Sequence, residues 1–170
     1  SVPKPEPMKA AAASAAPAET MSPEKAAEYR AAGIKVALTN LANSDNKTLA
    51  GAINKDMVKS SAPLIADWAV SKYGVSQVNA DAFTKRIQGD PKLQGEIAEN
   101  FKRHPDFLRQ MAKSMNDPGG VPDGAREMAK KKMDEVMQNP QLLADDKYVS
   151  NATSMMKNGG MLNGILSFFK

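Results

Sequence analysis

The stretch that decides the fold is "GDPKLQGEIAENFKRHPDFLRQMAKSMN", residues 89–116. It contains two openings of the same design, in which a polar residue and a proline precede regularly spaced apolar residues. After the first opening, Leu93, Ile97 and Phe101 recur every four residues, which is the spacing of one helix face. Proline suits the first helical position because its missing N–H would have no partner there. The stretch therefore predicts two consecutive amphipathic helices.

The same opening recurs once more along the chain. Asn139-Pro140 is followed by apolar residues, as Asp90-Pro91 and His104-Pro105 are. The three openings start 14 and then 35 residues apart, so they do not form a regular solenoid. We interpret each as a helix start, and a duplicated helix pair with a shared binding role is the alternative.

Apolar residues at helical spacing predict further helices on both sides of this stretch. No sustained alternation of period two is present, so we expect no strands. Frequent glycine and proline breaks argue against a long up-and-down bundle. The expected fold class is all-α, a single irregular bundle of six to eight short helices. We expect helices from Ser22-Pro23, from Asp45 to Ser60, from Ala62 (capped by Ser61) to Tyr73 with a stop at Gly74, from Asn79 to a stop at Gly89, from about Ala125 to Gln138, and one or two after Asn139. Trp68 lies on the apolar stripe of the third of these helices.

Two segments differ in composition from the predicted helices. Residues 1–21 are rich in alanine and proline and predict a disordered tail or linker, because they offer too little apolar surface to offset the entropy of ordering. Residues 22–170 form the predicted helical domain. Within it, "NDPGGVPDGA" holds two prolines and three glycines, which predicts a loop over residues 117–124.

The charge and composition exclude few classes of protein. There are 23 basic and 19 acidic residues, and this mild net charge of +4 does not predict specific nucleic-acid binding. The absence of cysteine excludes disulfides and thiolate chemistry but leaves the compartment open. No apolar run approaches 18 residues, so we expect no membrane-spanning helix, and no signal peptide is visible.

The sequence predicts no catalytic, cofactor or metal residue. The only histidine, His104, would need a nucleophile and an orienting carboxylate to act as a general base, and the spacing predicts neither. Asp117, Asp123 and Glu127 surround the glycine-rich loop, but proline and glycine stand where a calcium loop needs oxygen ligands. We therefore expect a protein that is not an enzyme, with a small hydrolase built on acidic residues as a third possibility.

Methionine is the most unusual component of the chain. Eight of the 11 methionines follow residue 110, and the spacings 111/115 and 133/137 place pairs on single helix faces. Methionine is flexible and polarizable, so it suits either a loosely specified core or an adaptable groove for a peptide or helix. The candidate partner-binding residues are Met111, Met115, Met128, Met133, Met137, Met155, Met156, Met161, Leu162, Ile165, Leu166, Phe168 and Phe169.

The last ten residues, "MLNGILSFFK", predict an amphipathic helix over residues 161–169. On a helical projection the six large apolar side chains fall within about 160° of arc, opposite Asn163, Ser167 and Lys170. Burying six such side chains contributes roughly 9–18 kcal/mol, and ordering ten residues costs about 15 kcal/mol. The segment therefore needs a surface, which is its own body, another copy or partner, or a lipid interface.

Together these patterns predict a non-enzymatic helical protein-interaction module, such as an accessory, structural or secreted factor. Its partner would be another protein or peptide, or a second copy of itself. The alternative is a membrane-associating helical protein whose C-terminal segment inserts into a lipid surface.

Overall fold

The computed structural model describes residues 22–117, 119 and 123–157. Within them the chain forms eight α-helices and one 3-10 helix and contains no strand, which confirms the all-α prediction. The predictions for residues 1–21, for part of the 117–124 loop and for residues 161–169 lie outside the described residues. The end of the predicted loop is wrong, because residues 123 and 124 already belong to the first turn of a helix. The elements are α1 Pro23–Ala42, α2 Asn46–Ala52, α3 Lys55–Tyr73, α4 Gln77–Gln88, α5 Pro91–Arg103, α6 Pro105–Asn116, α7 Asp123–Gln138, a 3-10 helix Pro140–Ala144 and α8 Asp146–Lys157.

The chain divides into two units after Gly33, inside α1. Of the first unit, the structure describes residues 22–33, which are mostly exposed. The second unit holds the remainder of α1 and all later elements.

Helix α3 is central to the second unit, where it packs against α4, α5 and α7. It buries one face along its whole length, and small residues such as Ala62 and Ala69 on this face allow neighbouring helices to approach closely. The helix ends at Gly74, whose φ of 74° lies in the left-handed region. Glycine adopts this conformation without steric cost, so the predicted stop at Gly74 is confirmed.

The predicted helix boundary at Ser61 is wrong. Helix α2 ends early and α3 begins just after Asn54, whose side-chain oxygen accepts a hydrogen bond of 2.9 Å from the N–H of Met57. Ser61 is instead buried in the middle of α3. Pro63 is tolerated inside α3 because the carbonyl that loses its partner belongs to the exposed residue Lys59, where water can bond to it.

The predicted start of the fourth helix is also wrong, by three residues. The hydroxyl of Ser76 accepts a hydrogen bond of 3.2 Å from the N–H of Asn79 and so caps α4. Asn79 lies within the first turn, and its side chain donates to Asp134 on α7 at 3.2 Å. The predicted stop at Gly89 is confirmed.

The three proline openings all start helices, but only one is capped by a side chain. Asp90 accepts a hydrogen bond of 3.0 Å from the N–H of Leu93. His104 and Asn139 make no such bond. The Asn139-Pro140 opening starts a 3-10 helix of five residues, and a separate helix, α8, follows it.

Buried hydrogen bonds hold this 3-10 helix in place against α5. Asn100 is fully buried, and its side chain donates to the carbonyl of Leu143 at 2.9 Å. Arg103 donates in turn to the side-chain oxygen of Asn100 at 3.2 Å. Both the nitrogen and the oxygen of the buried Asn100 amide are therefore hydrogen-bonded. This arrangement fixes the position of Leu143, which lines the groove described below.

Candidate functional site

An almost entirely apolar groove of about 60 Å³ lies between α3, α6, α7, α8 and the 3-10 helix. We call it the methionine groove. It is lined by Ile65, Trp68, Tyr73, Phe107, Met111, Ala129, Lys132, Met133, Val136, Leu143, Tyr148, Ala152, Met155 and Met156.

Two helices supply facing walls of the methionine groove. On α7, Ala129, Met133 and Val136 follow one another at steps of four and three. On α8, Ala152 and Met156 are four residues apart and belong to a similar stripe. Residues at these spacings lie on one face of a helix, so each helix presents a continuous apolar stripe to the groove.

Two aromatic residues from α3 line the groove while their polar atoms are buried behind it. The rings of Trp68 and Tyr73 meet edge to face, with centroids 5.3 Å apart and an interplanar angle of 84°. The indole N–H of Trp68 and the hydroxyl of Tyr73 are buried, and no hydrogen bond of acceptable geometry reaches either from the described residues. Burial raises the pKa of the Tyr73 hydroxyl, and an interaction with the Ser114 side chain offsets part of that effect.

The polar atoms of Tyr148 and Lys132 are partnered within the protein. The hydroxyl of Tyr148 donates to the carbonyl of Lys132 at 3.4 Å. Lys132 Nζ lies 3.5 Å from a carboxylate oxygen of Glu135. Burial, with a further contribution from the charge of Glu135, raises the pKa of Tyr148 far above its ordinary value, so this hydroxyl stays protonated at neutral pH.

The structure places four of the seven predicted methionines before residue 158 in the methionine groove: Met111, Met133, Met155 and Met156. Met115, Met128 and Met137 are not among its lining residues, and Met137 is almost completely buried in the core. The candidates Met161, Leu162, Ile165, Leu166, Phe168 and Phe169 lie outside the described residues. Met111 lines the groove and is also buried in the core, so lining the groove does not by itself separate the core and groove interpretations.

Sequence reasoning assigned the aromatic residues of the groove no role in it. Trp68 was expected on the apolar stripe of α3, but nothing local indicated that Tyr73 and Tyr148 would join it. Trp68 and Tyr148 are 80 residues apart in sequence, and only tertiary packing brings them to one site. The one available signal was that Trp68 is the only tryptophan in the chain.

A second cleft contains His104, the residue considered for catalysis. His104 Nε2 lies 2.9 Å from Asp146 Oδ1, and Arg103 Nε lies 3.1 Å from the same oxygen. Ser150 and Ser154 line the same cleft. Within the part of the chain that the structure describes, no hydrogen bond connects either serine hydroxyl to the imidazole. The pair attaches the start of α8 to the α5–α6 junction, which is a structural role.

The described residues offer no other recognised type of site. No group of three potential metal-ligating side chains converges within residues 22–117 and 123–157. In the same ranges, each helix is too short or too polar to cross a bilayer. No protein-family model, curated protein or solved structure matches this chain.

Proposed function

We propose that this chain is a non-enzymatic protein-interaction module that binds an apolar peptide or helix in the methionine groove. The observation that carries the proposal is the convergence of four methionines and four aromatic residues from distant parts of the sequence on one apolar groove. Methionine side chains can repack around differently shaped occupants, and aromatic residues supply rigid contact area.

The dimensions of the groove indicate how an occupant would bind. A volume of about 60 Å³ accommodates inserted side chains and not a whole peptide segment. The occupant would therefore be an amphipathic helix or short peptide whose bulky apolar side chains enter between α7 and α8.

The proposal can be tested with a synthetic amphipathic helical peptide of zero net charge, since its affinity would report apolar burial and not electrostatic steering. Trp68 is the only tryptophan and lines the groove, so its fluorescence reports binding directly. We expect binding that Met133→Ser weakens by roughly tenfold or more.

Met128→Ser is the matched control for this test. Met128 lies on the same helix as Met133 and is also partly buried, but it does not line the methionine groove. The control should retain the affinity of the parent chain, while circular dichroism verifies that both variants remain folded. Equal affinities of the two variants for the peptide would contradict the proposed function. So would the absence of any peptide binding by the parent chain and by both variants.

A further inference from the structure

We propose that in the free protein the methionine groove is occupied by the chain's own segment 161–169, which acts as an intramolecular competitor of the partner. This inference rests on the proposed function, because it requires that the groove binds an amphipathic apolar helix.

The first argument is the position of the segment in the chain. Met155 and Met156 line the groove from the last turn of α8, which ends at Lys157. The five residue-to-residue steps from Met156 to Met161 can span up to about 17 Å when extended. Gly159 and Gly160 lie in this connection, and glycine permits the backbone conformations that reverse a chain. The segment therefore begins within reach of the groove.

The second argument is chemical complementarity. The apolar side chains of residues 161–169 cover about 160° of a helix, which matches a groove bounded by the apolar stripes of two helices. Residues 158–170 include no acidic residue, so docking would bury no carboxylate against the apolar lining. Asn163, Ser167 and Lys170 would remain on the solvent side.

The third argument is energetic. The apolar burial available to the segment is close to its cost of ordering, so it requires a surface but need not bind that surface tightly. A short tether gives a local concentration in the millimolar range. Even weak docking would then occupy the groove in most molecules. The apparent affinity for a partner would fall in proportion to the fraction of molecules whose groove remains open.

The experiment compares Ile165→Asp with Ser167→Asp in the full chain. Both variants add one negative charge, but Ile165 lies near the centre of the predicted apolar face and Ser167 lies opposite. We expect I165D to shift the Trp68 emission to longer wavelength and to increase its quenching by acrylamide. The same variant should bind the neutral probe peptide roughly tenfold more tightly than the parent chain. S167D should match the parent chain in all three measurements.

An added peptide tests whether the groove of I165D remains intact. The synthetic peptide MLNGILSFFK should restore the parent's Trp68 emission when it is added to I165D. Identical emission from I165D and S167D, or failure of this peptide to restore the signal, would overturn the inference. The inference would also be overturned if dilution of the protein removed the protection of Trp68 from acrylamide. In that case the segment would occupy the groove of a second copy.

The same data separate this inference from the proposed function. If only I165D changes the Trp68 signal but no variant binds the neutral probe, segment docking is supported and the proposed function fails. If the parent and I165D bind the probe equally and emit identically, the proposed function is supported and segment docking fails. Binding of the parent but not I165D to anionic phospholipid vesicles, with unchanged Trp68 emission, would also overturn docking and assign the segment to a lipid surface.

Discussion

The side chain of Asn100 donates a hydrogen bond of 2.9 Å to the carbonyl of Leu143, across 43 residues of sequence. Asn100 is fully buried, and Leu143 is a lining residue of the methionine groove. A polar contact in the core therefore positions one wall of the site, which couples the stability of the fold to the shape of the groove.

Replacing Asn100 with alanine should lower the free energy of unfolding by about 2 kcal/mol, because the carbonyl of Leu143 would lose its partner in a buried setting. Urea denaturation measures this change. Asn151→Ala, at an exposed position on α8, is the control and should change stability by less than about 0.5 kcal/mol. Equal effects of the two substitutions would show that the buried hydrogen bond contributes little.

The ion pairs of Asp146 should make stability depend on acid pH. Hydrogen bonds from His104 and then from Arg103 lower the pKa of Asp146 from its ordinary value of 3.8. The folded protein therefore binds this proton more weakly than the unfolded chain. The contribution is fully present above pH 3.8 and is lost as the pH falls through the lowered pKa of the folded state.

Asp146→Asn should consequently melt at a lower temperature than the parent chain at neutral pH, and the two melting temperatures should converge in strong acid. Thermal melts followed by circular dichroism over an acid pH series measure this convergence. Glu127→Gln, at an exposed position on α7, is the control and should follow the parent chain at every pH. A constant gap between parent and D146N down to the lowest pH would contradict the assignment.

Local signals located most helix starts and two helix ends, and they missed the starts at Asn54 and Ser76. Gly74 and Gly89 were correctly identified as stops, but only Gly74 has the left-handed conformation that glycine adopts without steric cost, whereas φ at Gly89 is −94°. The start at Asn54 was missed because Ser61 offered a competing cap signal. The continuous buried face of α3 decided between them, and that face depends on which helices pack against it.

The site was predictable only in part, for a similar reason. Helical spacing placed Met133 and Met137 on one face of α7, yet Met133 lines the groove and Met137 is buried in the core. Side chains one turn apart meet different neighbours when the packing helices cross at an angle. Composition could therefore indicate an adaptable apolar surface, while tertiary packing determines which methionines form it.

Two glycine substitutions should change stability in opposite directions. Gly74→Ala should lower the free energy of unfolding by about 1 kcal/mol, because the left-handed conformation places a Cβ too close to the following carbonyl. Gly51→Ala should raise it by about 0.5–1 kcal/mol, since Gly51 is helical and has open space where the Cβ would lie. Urea denaturation of both variants measures the changes, and effects of the same sign would contradict the assigned conformations.

The hydroxyl of Tyr73 should be dispensable for stability. Because it is buried without a hydrogen bond, Tyr73→Phe should leave the free energy of unfolding unchanged or raise it by up to about 1 kcal/mol. Tyr148→Phe is the matched control, since it removes a hydroxyl that donates to the carbonyl of Lys132, and it should lower stability by about 0.5–1 kcal/mol. Urea denaturation compares the two. If Y73F loses more stability than Y148F, the hydroxyl of Tyr73 already has an internal partner.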